Sequence, residues 1–69
     1  MQIYYTPSEI ITRNPILKKH WTAADVGYLF KLQIVRGEKK SRYTLLDEVD
    51  VLRIFYFSFP ELLQHSPVA

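Results

Sequence analysis

The stretch IVRGEKKSRYTLL, residues 34–46, decides how this chain is read. Two arms rich in β-branched and aromatic residues enclose Gly37, Glu38, Lys39, Lys40 and Ser41, the pattern of a short hairpin with a turn of about five residues. Ile34, Val35, Leu45 and Leu46 are expected to anchor the arms, while Lys39, Lys40 and Arg42 face outward. The tip has two readings. It is a solvated turn whose lysines discourage edge-to-edge pairing, or it is a loop that touches phosphate.

On the N-terminal side, TAADVGYLFKLQIV opens with Thr22 as a cap and carries Ala23, Val26, Leu29 and Phe30 at helical spacing. Ala24, Asp25, Gly27, Tyr28 and Lys31 occupy the other side. A glycine inside a helix costs about 1 kcal/mol relative to alanine, so Gly27 points to close approach of another backbone, either a packed helix or a ligand, and packing is the expected cause. Earlier still, YTPSEII holds a capping box: Thr6 as N-cap, Pro7 at the first helical position and Glu9 three residues after the cap. That helix is expected to stop before Asn14-Pro15. The segment NPILKKHW then reads as a connector, a turn or a brief helical turn, with Ile16, Leu17 and Trp21 turned inward.

On the C-terminal side, Asp47 is expected to cap a third helix, EVDVLRIFYF, with Glu48 and Asp50 in its first turn where negative charge suits the helix dipole. Val49, Leu52, Phe55, Tyr56 and Phe59 line one side, and Val51, Ile54 and Phe57 make the rest apolar too. A helix apolar on most sides is buried on several faces or holds a second subunit. Residues 60–69 are expected to form one more turn and then fray. The order is helix, helix, hairpin, helix in a single domain spanning 1–69.

Composition supports such a domain. The chain has 69 residues, 48% of them apolar and 14% aromatic, so a small core of large side chains is within reach even though a chain this short buries only about 60% of its unfolded surface. It contains no cysteine, and His20 and His65 form no ligand spacing, so neither a disulfide framework nor a metal site is expected. The opening MQIYYTPSEI lacks a secretion signal. VDVLRIFYFSF is about half a membrane span and carries Arg53, so a soluble, cytoplasmic protein is expected.

Charge is distributed unevenly. Residues 13–42 hold eight basic and two acidic side chains, a balance of +6, whereas residues 43–69 hold one basic and four acidic, a balance of −3. This asymmetry suits an anionic partner on one side, although a solvated polar surface produces similar runs. Enzymatic readings find no support. The acidic residues 47, 48 and 50 are accounted for by capping, no nucleophile accompanies them, and Gly27 and Gly37 form no phosphate-cradling loop. Neither catalysis nor a cofactor is expected.

YYTPSEII, a helix running into KLQIVRG, basic residues and then RYTLLDEVDVLRIF together resemble the winged helix-turn-helix of the MerR and phage excisionase type, over roughly residues 3–57. The resemblance implies a mainly α fold with a small β-hairpin, its second helix in the major groove of double-stranded DNA and its hairpin as a wing on the backbone or minor groove. It puts Thr22, Ala23, Ala24, Tyr28 and Lys31 on the recognition helix and Arg36, Lys39, Lys40 and Arg42 in the wing. That helix offers Tyr28 and Lys31, with Asp25 beside them, in place of the arginines frequent in the family. The connector TRNPILKKHW is longer than the family's usual tight turn, and the length suits a small excisionase-like or accessory protein in transcription regulation or recombination.

Two further points follow from residue chemistry. Lys18 and Lys19 read either as backbone contacts beside a helix N-terminus or as solvated connector residues, and Tyr28 either meets a nucleotide or packs on a neighbouring loop. Five neutralised phosphates would give log K a slope near about −4.5 against log salt. The rival reading is a protein-interaction or homodimerisation module built on VLRIFYFSF. Excisionase-like proteins also contact an integrase, so an integrase-like partner and a homodimer both fit the resemblance.

Overall fold

The structure, a computed structural model, describes residues 3–64. Within them the chain runs β1 (Tyr4–Tyr5), α1 (Pro7–Arg13), α2 (Pro15–Lys18), α3 (Ala23–Lys31), β2 (Gly37–Lys40), β3 (Tyr43–Asp47), α4 (Glu48–Ser58) and α5 (Pro60–Gln64). It is a mostly helical fold with a three-stranded antiparallel sheet in the order β1-β3-β2. The expected order of helix, helix, hairpin and helix is kept by α1, α3, the β2–β3 hairpin and α4, with β1, α2 and α5 in addition. His65 and the rest of the expected frayed tail lie outside the described residues.

Local chemistry sets most boundaries. At α1 the Glu9 N–H donates to Thr6 Oγ1 at 3.2 Å while Glu9 Oε1 accepts from the Thr6 N–H at 2.9 Å, so two donors that the helix leaves unpaired are satisfied together. Asn14 ends the helix, its Nδ2 donating to the Ile10 carbonyl at 2.9 Å. Pro15 then starts α2, whose four residues turn the connector into a genuine helix, and the Trp21 N–H donates to the Leu17 carbonyl at 2.7 Å. Asp47 caps α4: its Oδ1 accepts from the N–H groups of Val49 and Asp50 at 2.9 and 3.4 Å.

The hairpin differs from expectation. Lys40 pairs with Tyr43, so the turn is the two residues Ser41 and Arg42, and Gly37 to Lys40 form the first strand rather than the tip. Ser41 supplies the positive φ, 54°, that a two-residue hairpin turn demands at its first central position. Gly37 serves another purpose. A Cβ there would collide with the Leu45 carbonyl oxygen and lie 2.8 Å from Leu46 Cδ2, so the close approach of β3 excludes any side chain. Val35 and Leu46 are buried as expected, but Ile34 is half exposed and Leu45 only partly covered. On its far side β3 pairs with β1 through Tyr5↔Leu46 and Tyr4↔Asp47, a strand too short to show a sequence pattern.

Ile10, Leu17, Val26, Leu29, Val35, Leu46, Val51 and Phe55 form one core, drawn from α1 to α4 and from β3 with its approach to β2. Val51 and Phe55 are the buried apolar residues of α4, whereas Val49 and Phe57 face outward at 58% and 85% exposure. This corrects the expected face, because a helix apolar all round gives no period to read. Trp21 meets Phe55 edge-on, 4.9 Å between centroids, and Tyr56 and Phe59 stack around the same ring at 5.2 and 5.0 Å. Truncating such a residue costs about 3–5 kcal/mol. A domain of 69 residues has roughly 3–10 kcal/mol in all, so losing Phe55 would remove a large share of the chain's stability.

Candidate nucleic-acid interface

The helix that faces the hairpin is fixed at both ends. At its start Asp25 reciprocates the Thr22 cap: the Asp25 N–H donates to Thr22 Oγ1 at 3.3 Å, and Asp25 Oδ2 accepts from the Thr22 N–H at 2.8 Å. The acid beside the sequence-assigned contact residues is therefore a capping group, and Thr22 uses its hydroxyl in the same box. At its end Gln33 adopts φ 62°, its N–H donating to the Phe30 carbonyl at 3.0 Å and that of Ile34 to the Leu29 carbonyl at 3.3 Å. This pair of bonds is a Schellman motif, usually closed by glycine. It reverses the chain toward β2.

Between α3 and the hairpin lies an open cleft of about 780 Å³, lined by Ala24, Gly27, Tyr28 and Lys31 on one side and by Arg36, Gly37, Lys39 and Thr44 on the other, with Tyr4, Phe30, Gln33 and Val35 completing it. Tyr28 is 57% exposed there. Strand alternation separates the lysines. Lys39 shares the face of Gly37 and Thr44 and joins the cleft, whereas Lys40 turns to the opposite face and pairs with Glu38, Nζ to Oε1 at 3.3 Å.

Arg36 lines the cleft but is held by carboxylates. Its Nε donates to Asp50 Oδ2 at 3.0 Å, its Nη2 to Asp50 Oδ1 at 3.2 Å, and Asp47 Oδ2 lies 3.7 Å away. The Arg36 backbone N–H also donates to Asp50 Oδ2, at 2.9 Å. The guanidinium hydrogen bond, aided by that backbone donor, holds the Asp50 carboxyl below its ordinary range even though burial opposes it. Arg36 thus fastens the entry to β2 onto α4. A second such tie joins α1 to α4: Arg13 Nε donates to Glu48 Oε2 at 3.0 Å and Asn14 Nδ2 to the same oxygen at 2.8 Å. The Arg13 bond holds the Glu48 carboxyl low in turn.

The remaining sequence-assigned residues sit elsewhere. Ala23, half-buried at the first position of α3, shares a smaller groove with Lys18, Ser8 and Thr12. Lys19 is exposed at the end of α2, and Arg42 is exposed in the turn. Among the described residues no cluster of acidic or histidine side chains could hold a metal ion, and no helix is long and apolar enough to cross a membrane.

Sequence reading missed the engagement of Arg36, because its partner lies 14 positions away and only the fold brings the two together. It also missed the part Gln33 takes in the helix end, where no glycine flagged it. The expected packing cause for Gly27 finds no tight contact among the described residues: a Cβ there would meet only the Pro7 ring, at an ordinary 3.7 Å. Compared with known proteins, the chain matches no family model, no curated protein and no solved structure.

Proposed function

We propose that this chain is a small double-stranded DNA-binding protein of the MerR or excisionase-like winged helix-turn-helix kind, with α3 in the major groove and the hairpin as its wing. The observation that carries the reading is the convergence of Tyr28 and Lys31 from α3 with Lys39 from β2 on one open cleft. Phosphate favours such cations because each one it engages releases condensed counterions. Lys31 and Lys39 supply the charge at the cleft, while Arg42 adds to it from the hairpin turn and Lys18 and Lys19 from the connector. Arg36 acts by holding the hairpin in place, since its own charge is already matched by Asp50 and Asp47. Base discrimination rests on few groups, because the exposed side of α3 carries none of the Arg, Asn or Gln side chains that read base edges in pairs.

A role in transcription regulation or site-specific recombination follows from that type of module. Gel shifts with random and genomic duplexes at two salt concentrations test the reading. Binding at low salt that weakens steeply with added salt supports it, and absence of binding at low salt ends it. The outward positions of Val49 and Phe57 on α4 favour a second activity, homodimerisation or contact with an integrase-like partner. Sedimentation of Phe57→Ser against the wild type tests this one. A shift to a smaller species supports it, whereas identical monomers contradict it.

A further inference from the structure

The glycine of α3 is unexplained by the fold. Gly27 occupies the fifth position of a nine-residue helix, where alanine is the better residue on helix propensity. The backbone has no need of it, since its φ is not positive. Packing has no need of it either, because among the described residues an added Cβ finds only Pro7 Cγ at 3.7 Å, an ordinary contact. Gly37 makes the contrast, with a Cβ there blocked by the partner strand. A residue that costs stability, with room for its replacement, calls for a reason outside the folded chain.

Its position supplies one. Gly27 lines the cleft beside Tyr28 and Lys31, across from Lys39. At that point the missing side chain leaves the helix backbone bare, and close approach of a ligand to backbone is a recurrent use of glycine. We infer that Gly27 is a binding residue of the DNA interface, keeping the cleft open so that the groove edge of a duplex comes into van der Waals contact with α3. This rests on the DNA-binding reading above. A methyl group at that point would be driven against the duplex, an overpacked contact that weakens binding while the free protein gains from the better helix former.

The test compares Gly27→Ala with the wild type in two assays on the full chain: thermal unfolding without DNA, and anisotropy titration with a labelled mixed-sequence duplex at low salt. The inference expects opposite signs. The melting temperature rises by about 4–8 °C, and the dissociation constant rises about tenfold. A higher melting temperature with unchanged affinity overturns the inference and leaves the DNA reading standing. A lower melting temperature also overturns it, because the fold then needs the glycine. If the wild type itself binds no duplex, the DNA reading fails and this inference fails with it.

Discussion

Replacing Gln33 by glycine should stabilise the protein, and the structure sets the size of the effect. Gln33 leaves α3 at φ 62°, the left-handed region, with both bonds of the Schellman motif in place. A side chain there costs roughly 1–2 kcal/mol, because Cβ crowds the following carbonyl. Glycine removes that cost, but its freer unfolded chain returns about 0.4–1 kcal/mol. Taking the middle of each range, about 1.5 less about 0.7, the net gain is about 0.8 kcal/mol. With a melting entropy of about 2.1 cal/mol/K per residue, 69 residues give about 145 cal/mol/K, so the midpoint should rise by about 5–6 °C. Thermal unfolding followed by far-UV circular dichroism measures this directly. An unchanged or lower midpoint would refute the reasoning, and would mean that the chain does not turn here as described or that the Gln33 side chain stabilises the cleft it lines.

Gly37→Ala should act in the opposite direction: its Cβ meets the Leu45 carbonyl and Leu46 Cδ2, so the β2 and β3 pairing opens. Hydrogen exchange at residues 38–40 would show lost protection, and full protection would contradict the close approach. Stability should also fall in acid. Asp50 and Glu48 are held below their ordinary range by Arg36 and Arg13, so the folded state binds fewer protons than the unfolded one. Their contribution is complete above the ordinary carboxylate values, about 4, and is lost as pH falls through the lower folded values. Chemical denaturation across that range checks the sign, since stability that held or rose toward low pH would exclude it. Asp50→Asn should weaken the acid dependence while loosening the hairpin from α4.

How much of this was legible beforehand depends on the range of the interaction. The caps of α1 and α3 and the Asp47 cap of α4 act over two or three residues, so Thr6, Glu9, Thr22 and Asp47 announced them. The hairpin was legible as two arms, but its register was not. Gly37 drew the turn toward itself, whereas Ser41, an unremarkable residue in sequence, takes the positive φ. α2 was legible only as a brief helical turn because four residues carry no period, and the buried side of α4 was hidden because every side is apolar. Of the candidate interface, Ala24, Tyr28, Lys31, Arg36 and Lys39 meet at one cleft. Strand alternation then separates Lys39 from Lys40, a distinction that awaited the register. Arg36 looked like a free cation because Asp47 and Asp50 are brought to it only by tertiary folding.

The central claim is tested most directly by titrating one labelled duplex with the wild type, Lys39→Ala and Lys40→Ala over a range of salt. DNA binding through the cleft predicts a linear fall of log K with log salt for the wild type, with a slope near about −4.5 if five phosphates are engaged. Lys39→Ala should reduce that slope by about 0.9. Lys40→Ala, whose ammonium is paired with Glu38, should leave it nearly unchanged. No binding by the wild type at low salt, or equal losses for the two lysines, would contradict the account.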